Sequence, residues 1–164
     1  MTATHVSDEL LLDLAEVAGH MRTAGLPTDF TAAALRGADA DEGIAELMIL
    51  WNQSNADDRD KIIADIQDLL DDANDLAMPP APRPRVSYKD LDHVVAGVRA
   101  HKQRLRDLID RHGGVSEVAR RSGIPQPSLS RLLNSGSMPR RTTLYKLASA
   151  LDVSEAEIVG EWTT

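Results

Sequence analysis

The chain has 164 residues and no cysteine. This excludes a disulfide framework, a zinc ribbon and a thiol nucleophile. Aromatic residues are scarce, with one Phe, two Trp and two Tyr. A core must be assembled from Leu, Ile, Val, Ala and Met, a set that suits helix better than sheet. No apolar run approaches the roughly 18 residues that span a bilayer, and no basic segment leads into an apolar one at the N-terminus. These absences lead to the expectation of a soluble cytoplasmic protein with no membrane partner. A Ser-His-Asp order, a phosphate loop and a GxGxxG are also missing. Carboxylates are abundant but mark no recognisable pocket, so no catalytic residue and no enzymatic activity are expected. His93 and His101 stand eight apart, roughly on one helical face, yet no carboxylate or cysteine completes a metal set. Asp39, Asp41 and Gly43 faintly echo a calcium loop, but its bidentate Glu would have to be Leu50. Neither a metal nor a cofactor is expected.

What is present is charge, divided unevenly. The net charge is −8, an average over two unlike parts. Residues 1–80 hold 4 Lys or Arg against 17 Asp or Glu, a balance of −13, whereas residues 81–150 hold 14 against 5, a balance of +9. Only the second part would be drawn to a phosphate backbone. The split predicts two domains.

The first part reads as about four helices. Residues 8–24 place Leu10, Leu14, Val17, Ala18 and Met21 on one stripe, with Asp8 and Glu9 at the positive end of the dipole. Gly25-Leu26-Pro27 ends that helix. Thr28 to Arg36 predicts a short second helix, with Phe30, Ala34 and Leu35 inward and Gly37 as its stop. Asp39 or Asp41 caps a third, in which Ile44, Leu47, Met48 and Trp51 share a face. Ser54 starts a fourth, with Asp57 completing an approximate capping box. Its apolar stripe is Ile62, Ile66, Leu69, Leu70 and Ala73; Asp58, Lys61, Asp65, Asp68 and Asp72 lie outside. The acidic skin reads most simply as solubility. Its sharper readings are repulsion from DNA, or a surface for a basic partner such as a toxin or the chain's own basic face.

Residues 78–86, MPPAPRPRV, hold four prolines and form a semi-rigid spacer at the domain boundary. Ser87 then offers an N-cap, with Asp90 as its partner, to a helical pattern reaching about His112. The polar pair His101-Lys102 leaves open whether this is one bent helix or two. The valines at 94, 95 and 98 need a partner, within the chain or in a second copy.

The most informative stretch is Val115 to Asn134, VSEVARRSGIPQPSLSRLLN. Ser116 and Glu117 open a short helix, and Gly123 ends it with the freedom to take φ > 0. Ile124 plugs the corner, and Pro125 pre-sets φ for the next helix. Leu129 and Leu132 fall on the buried side; Gln126, Pro127, Ser130, Arg131 and Asn134 fall on the other. This is a helix-turn-helix pattern with hydrogen-bonding groups and a cation facing outward. After a loop, helices follow through Leu144, Leu147, Ala148 and Leu151, and then from a Ser154 cap through Ile158, Val159 and Trp162.

The segments SEVARRSGIPQPSLSRLLNSG and PRRTTLYKLASALDVSEAEIV resemble the Xre-type helix-turn-helix domain of lambdoid phage repressors and Cro proteins. The resemblance covers about residues 103–160, the last third of the chain. It implies a five-helix lambda-repressor-like domain with its third helix in the major groove, so the whole is all-α: an acidic helical bundle (1–77), a Pro-rich linker (78–86) and the DNA-binding domain with a helical extension (87–164). By this resemblance Gln126, Pro127 and Arg131 face base edges, Gln suiting adenine and Arg guanine. Proline at 127 departs from the usual polar residue and can make only apolar contact. Ser116 holds a phosphate at a helix start. Asn134, Arg140 and Arg141 match phosphate-contacting positions, and Ser128 is a further candidate. Leu133 replaces a position that is often polar. Arg120 and Arg121 read more simply as solvated. The implied function is a sequence-specific transcriptional regulator of a phage or bacterium, a repressor-type protein bound as a homodimer to double-stranded DNA and so placed at the nucleoid. The alternative is an antitoxin-type or other interaction protein whose acidic bundle binds a protein partner.

Overall fold

The computed structural model describes residues 8–77 and 91–159. Those residues form nine α-helices and no strand, as the aliphatic, aromatic-poor composition predicts. The expected linker, the Ser87 cap and Trp162 lie outside the described residues. No helix among them is long and apolar enough to cross a membrane.

Four helices come first: α1 (Asp8–Thr23), α2 (Thr28–Ala40), α3 (Glu42–Gln53) and α4 (Ala56–Ala77). Leu14, Met21, Phe30, Ile44, Met48 and Ile66 meet in their core. Gly37 does not end α2, contrary to the expected stop. A Cβ there would stand 2.8 Å from Ile44 Cδ1 and 2.9 Å from Leu70 Cδ2, so the missing side chain makes room for α3 and α4. Asp41, not Asp39, caps α3 by accepting from the Gly43 N–H at 2.8 Å. The fourth cap falls one residue later than expected. Asn55 Oδ1 accepts from the Asp58 N–H at 3.0 Å, while the Ser54 hydroxyl closes α3 by donating to the Leu50 carbonyl at 2.7 Å. Arg59 lies 4.5 Å from the centroid of the buried Trp51 ring, a cation–π contact that fixes the start of α4 on α3.

The second group is α5 (Leu91–Arg111), α6 (Gly114–Ser122), α7 (Gln126–Asn134), α8 (Arg141–Leu151) and α9 (Glu155–Val159). It encloses a core of its own around Ile109, Val118, Leu129, Leu147 and Leu151. α5 runs unbroken through His101 and Lys102, which are buried rather than marking a polar gap. α6 begins two residues before Ser116, after Gly113 in the left-handed region. Gly123 ends it at φ 70°, its N–H donating to the Ala119 carbonyl at 3.0 Å. Leu133 joins Leu129 inside, and Leu132 is only partly buried. The i, i+4 pair rather than the i, i+3 pair faces the core, and burying Leu133 there stabilises by about 1.5–3 kcal/mol. Ser154 and Glu157 form the full capping box of α9: Glu157 Oε2 accepts from the Ser154 N–H at 2.8 Å, and the Ser154 hydroxyl accepts from the Glu157 N–H at 3.3 Å.

α4 belongs to both groups. One side packs on α2 and α3; the other packs on α7 and α8. Ile63 is buried with Ile62, Ile66 and Leu70, whereas Ala73 of the expected stripe is exposed.

Candidate nucleic-acid interface

The outward side of α7 is set by both of its ends. At the start, Pro125 caps the helix and its carbonyl accepts from the Leu129 N–H at 3.0 Å, while buried Ile124 anchors the turn. At the finish, the last carbonyls of a helix lack internal donors. Two cations of α5 supply them. The Lys102 ammonium donates to the Leu132 carbonyl, and Arg106 Nη2 donates to the Leu133 carbonyl at 2.8 Å and to Asn134 Oδ1 at 2.7 Å. Both cations also face the negative end of the helix dipole. Burial lowers the Lys102 pKa, and the charge of Arg106 lowers it further. Their partners lie about 30 residues away, so spacing gives no hint of this role.

Gln126 and Arg131 are exposed, and Pro127 is half-buried. With Ser130 they form one wall of an open cleft of about 730 Å³, whose other wall is Asp60, Lys61, Ala64 and Asp65 of α4. Ser128 turns the other way. Its hydroxyl is buried, has no hydrogen-bond partner among the described residues, and borders a second cleft of about 280 Å³, between α4 and the α7–α8 loop. Asn134 is held by Arg106, as described above. Ser116 is exposed on the first turn of α6. Arg140 caps α8, and Arg141 starts it with a hydrogen bond to the Tyr145 hydroxyl and its guanidinium 5.3 Å from that ring. Arg120 is occupied by Glu117 at 2.6 and 3.0 Å, while Arg121 is exposed.

The acids of α4 meet this surface directly. Arg131 Nη1 donates to Asp65 Oδ1 at 2.8 Å and lies 3.5 Å from Asp68 Oδ2. Arg140 pairs with Asp72. Between these pairs, buried Asp71 accepts from Gln67 Nε2 at 2.8 Å and from the Thr143 hydroxyl at 3.1 Å. The hydrogen bond to Asp65 raises the Arg131 pKa, working against burial and helped by the charges of Asp68 and Asp65. Burial raises the Asp71 carboxyl above its usual range, although Gln67, Lys146, Thr143 and Arg140 all pull it down. Asp65, Asp68 and Asp72 are thus not simply solvated; each faces an arginine.

Residues 105–158 match the family model described as Helix-turn-helix. The match takes in the end of α5 and the helices that follow, about a third of the chain, and leaves α1–α4 outside. This region thus matches a helix-turn-helix domain of the Xre, lambda-repressor-like kind, a family of DNA-binding transcription regulators. Comparison with curated proteins and with solved structures returned no match.

Proposed function

We propose that the protein is a sequence-specific transcriptional regulator that reads the major groove with α7. The observation that carries this reading is the outward set Gln126, Pro127 and Arg131 on the helix that follows the Gly123 turn, inside the matched region. Gln126 and Arg131 are suited to adenine and guanine, and Pro127 to a thymine methyl. Ser116, Asn134, Arg140 and Arg141 position the domain on the backbone, whereas Ser128, its hydroxyl buried and turned away, is given no contact. In this reading residues 1–77 are a regulatory or oligomerisation bundle, 78–86 the linker and 87–164 the DNA-binding domain. The protein acts as a homodimer at the nucleoid, because one domain covers few base pairs and two half-sites multiply the discrimination. Selection from a random duplex pool tests this. A two-fold consensus with half-sites one helical turn apart supports it, and a pool that stays random at low salt ends it.

An antitoxin-type role is the second reading, favoured by Leu12 and Leu50, which stand exposed on the acidic bundle. Co-purification of a small basic protein encoded next door would support it.

A further inference from the structure

We infer that α4 is a built-in competitor for DNA, its carboxylates occupying the reading face of α7 and closing the domain until they are displaced. The inference rests on the DNA-binding reading above. Asp65, Asp68 and Asp72 stand at i, i+3 and i+7, a spacing that lines them along one side of a helix. They meet Arg131 and Arg140, two of the side chains assigned to base and phosphate, so the row presents negative charge where DNA would. Steric exclusion reinforces the charge. A helix with its side chains is about 10–12 Å across, and the major groove that must receive α7 is about 12 Å wide. Gln126, Pro127, Ser130 and Arg131 cannot lie in that groove while α4 forms the opposite wall of their cleft.

The contact is built to open. Its ion pairs are half-exposed, a kind that is individually weak and screened by salt. Clefts of about 280 and 730 Å³ flank it, and the side chains buried at it include the polar Gln67, Asp71 and Thr143. The two apolar cores close separately on either side, so parting α4 from α7 and α8 opens neither. Asp71 with Thr143 forms a buried polar bond across the boundary.

The test compares full-length chains by fluorescence anisotropy on labelled duplexes drawn from the selected pool. The unmasked variant carries Asp65→Asn, Asp68→Asn and Asp72→Asn. The charge-matched control carries Asp13→Asn, Asp39→Asn and Glu46→Gln, all exposed and away from α7. The unmasked variant is expected to bind at least about tenfold tighter than wild type, because apparent affinity scales with the open fraction. The control stays within about twofold. Equal gains in both variants, or none in either, overturn the inference while leaving DNA binding intact. Failure of every chain to bind any duplex at low salt ends the DNA-binding reading instead. A second measurement fixes the closed state. Asp68→Cys and Met138→Cys line the same cleft in a chain without other cysteine. Joining them with a short bis-maleimide should abolish binding that the unlinked double variant retains; undiminished binding by the linked chain overturns the inference.

Discussion

Arg131 and Asp65 form an ion pair at 2.8 Å across 66 positions of sequence, joining the basic part of the chain to the acidic part. The guanidinium proposed to read guanine is therefore already occupied. With α4 forming the opposite wall of its cleft it cannot enter a major groove without leaving Asp65, so the affinity for DNA becomes a difference between two competing contacts. An overall charge of −8 is consistent with a basic reading face, because the acids that neutralise that face belong to the same chain.

Truncating Arg131 should have two opposed effects. Arg131→Ala removes a base contact worth about 1–3 kcal/mol, and it also removes a ligand of the acidic row. In the Asp65→Asn, Asp68→Asn, Asp72→Asn background only the first effect remains. The full loss is expected there, on the selected duplex alone, and a smaller loss in the otherwise unaltered chain. Equal losses on selected and scrambled duplexes would remove the base-reading role.

Arg140 should act through phosphate rather than sequence. In the same unmasked background, Arg140→Ala should make the slope of log K against log salt shallower by about 0.9, the value for one phosphate contact. Selected and scrambled duplexes should respond alike. A slope left unchanged would show that Arg140 serves only to hold Asp72.

The helix-turn-helix is legible because its signals are local. Gly123 must end one helix, Pro125 must begin another, and Leu129 must point inward, all within seven residues. The helical bundle is legible for the same reason, since the stripes of α1 and α3 need only their own period. Leu133 misleads because 129/132 and 129/133 are equally good helical pairs until the neighbours of α7 are known. Asp65, Asp68 and Asp72 are read as solvent-facing because periodicity separates apolar from polar sides without saying what the polar side meets. Asp71, Lys102 and Arg106 give no signal at all. Each acquires its role from a partner far along the chain, Thr143 in the first case and the end of α7 in the other two.

Lys102 should be a folding determinant rather than a DNA contact. Lys102→Met keeps much of the volume but leaves the Leu132 carbonyl without its charged donor. The expected cost is about 1–3 kcal/mol, read as a lower urea midpoint with an unchanged m-value. Lys102→Arg should recover part of it. A midpoint equal to wild type for Lys102→Met would show that the ammonium contributes nothing to the end of α7.

Asp71 should make the protein less stable as pH rises through the acid range. Burial raises its folded-state pKa above the ordinary 3.8, so the folded chain holds the proton more tightly than the unfolded one. Stability from this group is fully present below pH 3.8 and is lost as pH climbs through the raised value. Above that value the carboxylate is ionised in a site that disfavours its charge. Asp71→Asn keeps the shape and, with the amides of residues 67 and 71 rotated to suit, the hydrogen bonds to Gln67 and Thr143. The variant is expected to match or exceed wild type in urea at pH 7, and its advantage should shrink as pH is lowered toward 4. The reverse pattern, with wild type ahead at pH 7 and the gap closing on acidification, would show that Lys146 and Arg140 outweigh burial and that Asp71 is an ionic anchor of α4.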